Sequence, residues 1–217
     1  MSELWLIRHG ETAWNRLRRV QGTLDVGLNE LGHSQARRVA TRFGAGAETA
    51  HAVYSSDLVR AYDTARPTAA ALGLDVRLDV SLRERRYGIF EGLNFDELAE
   101  RFPRAAAAVR EREPDYELDG GESLRQFHVR VVAALERIAA AHRGQRVLVF
   151  THSGVLDTAY RHAQGMSLSA GRRHSVHNVS INRFVVEPQG WRVLNWGDVA
   201  HLDAMPVDAW EEPADAA

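Results

Sequence analysis

The chain has 217 residues, 45% hydrophobic and 26% charged, which are ordinary globular values, and that length suits a single domain with a full-sized core. A formal net charge of -2 argues against binding nucleic acid by bulk electrostatics, and the absence of cysteine excludes disulfides, thiolate metal sites and cysteine nucleophiles together. The N-terminus carries neither a basic region before a long apolar stretch nor a small-residue cleavage pattern, so a cytoplasmic protein without a membrane partner is expected.

Leu4-Trp5-Leu6-Ile7 is an apolar run too short for a membrane span, and it predicts a buried strand that delivers Arg8 and His9 to its carboxyl end. Ligands of open α/β sheets bind at that end, and Gly10 lets the backbone turn there. The polar segment 12–27 predicts a loop or short helix over the strand end, with Asn15, Gln21 and Gly22 near His9. Asn29 is placed to cap a helix running to about Phe43, with Leu31, Ala36, Val39, Ala40 and Phe43 at helical spacing. A second strand is expected over 52–55, then a helix capped by Asp57 and kinked or restarted by Pro67. Arg60 thereby falls in a first helical turn, where free N–H groups and the helix dipole favour an anion.

Alternation over 75–80 predicts a third strand, which runs into a charged loop holding Glu84, Arg85, Arg86 and Tyr87. Residues 95–112 read as alanine-rich helix interrupted by Pro103, and the excursion 93–120 is read as a mobile cover over the site. A long helix is expected from Leu124 to His142, with Val129, Val132, Ala133, Leu135 and Ile138 available for its buried face. Val147-Leu148-Val149-Phe150 is a fully apolar strand ending in Thr151-His152-Ser153-Gly154, followed by a helix over 155–162. Two histidines, each following an apolar run, converge only if their strands are neighbours and parallel, which strand-helix alternation favours. Segments 179–186 and 191–196 flank Pro188-Gln189-Gly190 and predict a β-hairpin. His174 and His177 show no convincing carboxylate partnership and read as surface or packing residues. The expected organisation is one α/β domain over 1–203, a three-layer α/β/α sandwich with a mostly parallel sheet, and a frayed acidic tail over 204–217.

Four blocks carry a family resemblance: Arg8-His9-Gly10-Glu11-Thr12 with Asn15, Ser55-Ser56-Asp57-Leu58-Val59-Arg60-Ala61, Leu82-Arg83-Glu84-Arg85-Arg86-Tyr87-Gly88, and Thr151-His152-Ser153-Gly154-Val155. Together they resemble the histidine phosphatase superfamily, also called the phosphoglycerate mutase-like family. The resemblance implies that His9 attacks phosphorus and forms a phosphohistidine, that Arg8, Arg60 and His152 hold the phosphoryl oxygens, and that Glu84 exchanges the proton. It also implies phosphate contact by Asn15, more weakly by Gln21 with Gly22, and a homodimer as a common assembly. The cationic clamp would keep His9 unprotonated and so activate it. Arg85, Arg86 and Tyr87 are candidates for holding a second acidic group on the substrate.

Val20-Gln21-Gly22 and Phe90-Glu91-Gly92 look like the phosphatase branch, whereas residues 84–88 and Gly121-Glu122-Ser123-Leu124 have a mutase flavour. The cover lacks the mutases' paired arginines followed by prolines, and Arg110 and Arg112 are doubtful substitutes. The favoured expectation is a metal-independent phosphomonoesterase for small phosphorylated metabolites, with no cofactor. The alternative is a phosphoglycerate mutase using 2,3-bisphosphoglycerate. A non-catalytic phosphate-binding module ranks last, because His9 and Glu84 are both present.

Overall fold

The computed structural model describes residues 1–46, 48–172, 174–202 and 209–210. Its first strand, β1 (Ser2–Arg8), leads through a one-turn helix α1 (Ala13–Arg16) to α2 (Glu30–Gly44). There follow β2 (Ala52–Ser55), α3 (Val59–Leu72), β3 (Val76–Leu78), α4 (Phe95–Arg101), α5 (Pro103–Arg110), α6 (Leu124–Ala141), β4 (Arg146–Thr151) and α7 (Ser153–Gln164). The chain closes with β5 (Val176–His177), β6 (Ile181–Glu187), β7 (Gly190–Asp198) and β8 (Ala209–Trp210).

The main sheet has the order β3-β2-β4-β1-β6-β7. Its β3-β2-β4-β1 part is parallel, and the β6-β7 hairpin adds antiparallel strands beyond β1. Strand residues point to alternate faces, and both faces are covered, which explains the unbroken apolar runs. Leu4, Leu6, Val147 and Val149 pack under α6 and α7 with Phe127, Val131, Leu135 and Leu156. Trp5, Ile7, Leu148 and Phe150 pack on the other face with Val39 and Phe43 of α2 and Ala65 and Ala69 of α3. The architecture is the expected three-layer α/β fold.

Local chemistry explains most boundaries. Asn29 caps α2 by accepting from Gly32 N at 2.8 Å, and Ser123 and Gln126 form a reciprocal capping box at the start of α6. Three expectations differ. Asp57 does not cap α3; its carboxylate pairs with Arg83, and the free Val59 N–H instead reaches Asp25 Oδ1 at 2.7 Å. Pro67 does not restart the helix: α3 runs continuously through it to Leu72, with its alanine-rich face held in the core. On α6, Val129 is exposed and Ala133 faces solvent; Phe127, Val131, Ala134, Leu135 and Ile138 form the buried face. The buried set follows i, i+4, i+7, i+8, i+11; Leu135 and Ile138 lie on it as expected and Val132 packs at its edge, while Val129 and Ala133 fall outside it.

The excursion 93–120 has a small core of its own, built on Phe90, Leu98, Ala105 and Leu118. Most of the acidic tail 204–217 lies outside the described residues; at Ala209–Trp210 the backbone pairs antiparallel with β5. Among the described residues, no helix is long and apolar enough to cross a membrane.

Candidate active site

Strands β1 and β4 are parallel neighbours in a register that sets Arg8 opposite Thr151, and His9 N donates to Thr151 O at 2.9 Å. The next residue on each chain is a histidine. The rings of His9 and His152 therefore meet at the sheet's carboxyl edge, with centroids 5.3 Å apart and both side chains buried. Burial first, then the charges of Arg60 and Arg8, hold the His9 pKa well below that of a free histidine. His152 is depressed for the same reasons, with His9 and Arg130 adding to the effect. Both rings are thus neutral at pH 7.

The tautomer of His9 follows from its neighbour. Nδ1 lies 2.7 Å from the Gly10 carbonyl, which can only accept, so Nδ1 carries the hydrogen and Nε2 keeps its lone pair. The main chain here is pinned by Gly10 N donating to Thr64 Oγ1 at 3.0 Å and by Asn178 Nδ2 donating to His9 O at 2.8 Å.

Arg60 occupies the first turn of α3, fully buried, and donates to the carbonyls of Leu24 (2.8 Å) and Gly22 (2.7 Å). Burial lowers its pKa to about 10, which still leaves it charged at neutral pH. Arg8 is likewise buried and donates to the Val176 carbonyl. Carbonyls orient a guanidinium without cancelling its charge, and both arginines contribute to the positive field that lowers the two histidines.

Glu84 reaches the same edge from the loop after β3. Its Oε1 accepts from Arg85 N at 2.8 Å, and its Oε2 accepts from Gly154 N at 3.0 Å and Ser153 Oγ at 3.2 Å, just beyond His152. The approach depends on glycine, since a Cβ on Gly154 would lie 2.2 Å from Glu84 Oε1. Arg8, His9, Arg60, Glu84 and His152 are therefore gathered in one place.

The remaining expected positions divide. Asn15 is buried, and its Oδ1 caps α1 through Thr12 N and Thr12 Oγ1, both at 3.0 Å. Gln21 has a buried Oε1 with no hydrogen-bond partner among the described residues, while Gly22 acts through its carbonyl on Arg60. Arg85 is buried, with Nε on the Glu122 carbonyl at 3.0 Å and its guanidinium 5.2 Å over the Tyr87 ring. Arg86 is exposed and donates to Gly121 O, with no contact linking it to the histidine pair.

Sequence reasoning missed four supporting groups. Ser56 Oγ sits 2.9 Å from His152 Nε2. Glu91 Oε1 accepts from Thr23 N and Tyr87 N and so joins the loop that carries Gly22 to the loop that follows Glu84. Glu122 accepts from Arg86 N and pairs with Arg130, whose guanidinium also donates to the Arg83 and Glu84 carbonyls. The fourth corrects an expectation: His174 Nε2 stands 3.1 Å from Asp157 Oδ1, in a cluster with Arg112, Arg161 and Arg172. No spacing rule signals it, because its members lie up to 62 residues apart in the chain, from Arg112 to His174.

The family model described as histidine phosphatase superfamily (branch 1) matches residues 4–199. The chain belongs to the histidine phosphatase superfamily. Two Arabidopsis thaliana proteins are each 42% identical to this superfamily member: phosphoglycerate mutase-like protein 4, over 93% of this chain and 87% of its own length, and a metal-independent phosphoserine phosphatase, over 94% and 85%. Among solved structures, YhfR of Bacillus stearothermophilus is 32% identical with a TM-score of 0.85, covering 93% of this chain and 99% of its own. This histidine phosphatase superfamily member is an enzyme of phosphate-ester chemistry, with the phosphatase activity favoured over the mutase. Among its described residues, no group of three or more histidine, aspartate or glutamate side chains is placed to hold a metal ion.

Proposed function

We propose that this protein is a metal-independent phosphomonoesterase that hydrolyses small phosphorylated metabolites, phosphoserine among them, through a phosphohistidine at His9. The observation that carries the reading is the neutral His9 with its proton on Nδ1, which leaves Nε2 as a nucleophile beside two buried arginines. Phosphoserine enters because one 42% identical relative bears the name metal-independent phosphoserine phosphatase.

In the first step His9 Nε2 bonds to phosphorus while the bond to the ester oxygen breaks, and that oxygen takes a proton from the Glu84 carboxyl. The Gly10 carbonyl, still accepting from Nδ1–H, disperses the positive charge that develops on the ring. Arg8, Arg60 and His152 hold the non-bridging oxygens as charge shifts among them. In the second step water attacks phosphorus, returns a proton to Glu84, and the N–P bond breaks. Acid-base help of this kind is worth about two to four orders of magnitude in rate.

Arg112 argues against a mutase. This cover residue is the nearest counterpart of a mutase arginine, yet its guanidinium is engaged by Asp157 Oδ2 and the Leu168 carbonyl, each at 3.0 Å, and Arg110 is exposed. The segment 93–120 then serves as a cover that admits water.

The test is phosphate release from phosphoserine and a panel of other esters under chelator, with 3-phosphoglycerate plus 2,3-bisphosphoglycerate followed in parallel for isomer exchange. Phosphate release that falls by about four orders of magnitude or more in His9→Ala is expected, as for loss of a covalent nucleophile. Isomer exchange with little free phosphate would instead make the enzyme a mutase, and activity surviving in His9→Ala would remove the phosphohistidine.

A further inference from the structure

We infer that Ser56 is a positioning residue that selects the tautomer of His152 and so makes its Nδ1–H the donor offered to the phosphoryl group. The inference rests on the phosphohistidine reading above and adds to it a residue that touches no substrate.

Ser56 follows β2, fully buried, with its backbone N donating to Phe150 O at 3.0 Å. Its hydroxyl already accepts from Leu58 N at 3.3 Å, a serine turn that fixes Oγ at the mouth of α3. One hydroxyl proton remains to be donated. The partner within reach is His152 Nε2, at 2.9 Å. His152 is neutral, so an Nε2 that accepts this proton leaves the ring's own hydrogen on Nδ1. That Nδ1 is buried and has no hydrogen-bond partner among the described residues, and the ring stands against His9 between the fields of Arg60 and Arg8.

The opposite tautomer would be unproductive. With its hydrogen on Nε2, His152 would present a bare lone pair from Nδ1 to a phosphoryl oxygen and repel it. It would also make Ser56 Oγ accept from both Leu58 N and His152 Nε2, leaving the buried hydroxyl proton without an acceptor among the hydrogen bonds of the described residues, and that cost selects the first tautomer. A group that sets a neighbour's tautomer resembles the outer partners of metal-bound histidines, whose loss typically costs about 10–100-fold in activity.

The decisive measurement is 15N NMR of the histidine rings in the wild-type enzyme, with inorganic phosphate bound, alongside kinetics of Ser56→Ala and Ser56→Thr. For His152 the expected spectrum has a protonated Nδ1 and an unprotonated, hydrogen-bonded Nε2. Ser56→Ala is expected to lower kcat about 10–100-fold with KM within about twofold, at an unchanged melting temperature, and Ser56→Thr to restore most of the loss by returning the hydroxyl. A spectrum with the proton on Nε2, or Ser56→Ala with wild-type kcat, overturns the assignment. Either result leaves the phosphatase reading standing if wild type still releases phosphate in a His9-dependent way, so the two claims fail separately.

Discussion

The molecule holds two buried clusters of cations, and they are built in opposite ways. At the strand ends, Arg8 donates to the carbonyl of Val176, and Arg60 to those of Leu24 and Gly22. Beside α7, Arg112, Arg161, Arg172 and His174 surround the carboxylate of Asp157. Burial opposes the Asp157 charge, but the charges of Arg172, Arg112 and Arg161 and the contact with His174 outweigh it and hold its carboxyl well below the usual range. A guanidinium held by carbonyls keeps its charge for a ligand, whereas one held by a carboxylate spends it on the fold. The first arrangement costs stability and supplies binding; the second fastens the segment 93–120, through Arg112, to α7.

The comparison breaks most sharply under charge removal. His9→Ala abolishes chemistry, as above, and Arg60→Met should lower kcat about 10²–10³-fold while the melting temperature holds or rises, since the desolvation cost that outweighs the attraction of Glu84, Asp25 and Glu91 is removed with the charge. Asp157→Asn should do the reverse, lowering unfolding free energy by about 3–5 kcal/mol in denaturant titrations because it leaves arginines buried without their counter-charge. Equal destabilisation by both variants would erase the distinction.

A ligand should sharpen it. Inorganic phosphate or vanadate at about 100 times its Kd should stabilise the wild type by about 2.7 kcal/mol, and Arg60→Met should lose most of that shift while a folded Asp157→Asn retains it. Calorimetric melting with and without the anion reads this directly.

Acid acts on the strand-end cluster through its two histidines. His9 and His152 are neutral in the folded protein, well below their free value near 6.5, whereas both take up protons when unfolded. Stability is therefore fully present above about pH 6.5 and falls as pH drops from there toward the depressed folded values, by up to about 1.4 kcal/mol per pH unit for each ring. The acid limb of kcat/KM should correspondingly lie below pH 6.5. A limb at or above that value would mean that His9 is not depressed.

Much of the molecule was legible in the linear pattern. The apolar runs 4–7 and 147–150, the Asn29 cap, the break at Pro103 and the Pro188-Gln189-Gly190 turn are local signals, and local chemistry produced what they announce. The five gathered residues could be named because each lies near a strand end or in a first helical turn and within one of four short blocks that resemble the histidine phosphatase superfamily. Where the reading slipped, a distant group had intervened: Arg83 drew Asp57 from its cap, and burial of Phe127 and Val131 rotated α6 away from Val129.

The sequence by itself therefore determined the elements, their alternation and the residues delivered to each strand end, because backbone propensity and side-chain period act within a few positions. Only the tertiary structure decided which ring nitrogen of His9 is bare, which hydroxyl faces His152, and which arginines keep their charge. Those outcomes depend on contacts such as Ser56 with His152, 96 residues apart, and Arg112 with Asp157, 45 apart. Hydrogen bonds and burial of that kind arise only when strands from distant parts of the chain become neighbours.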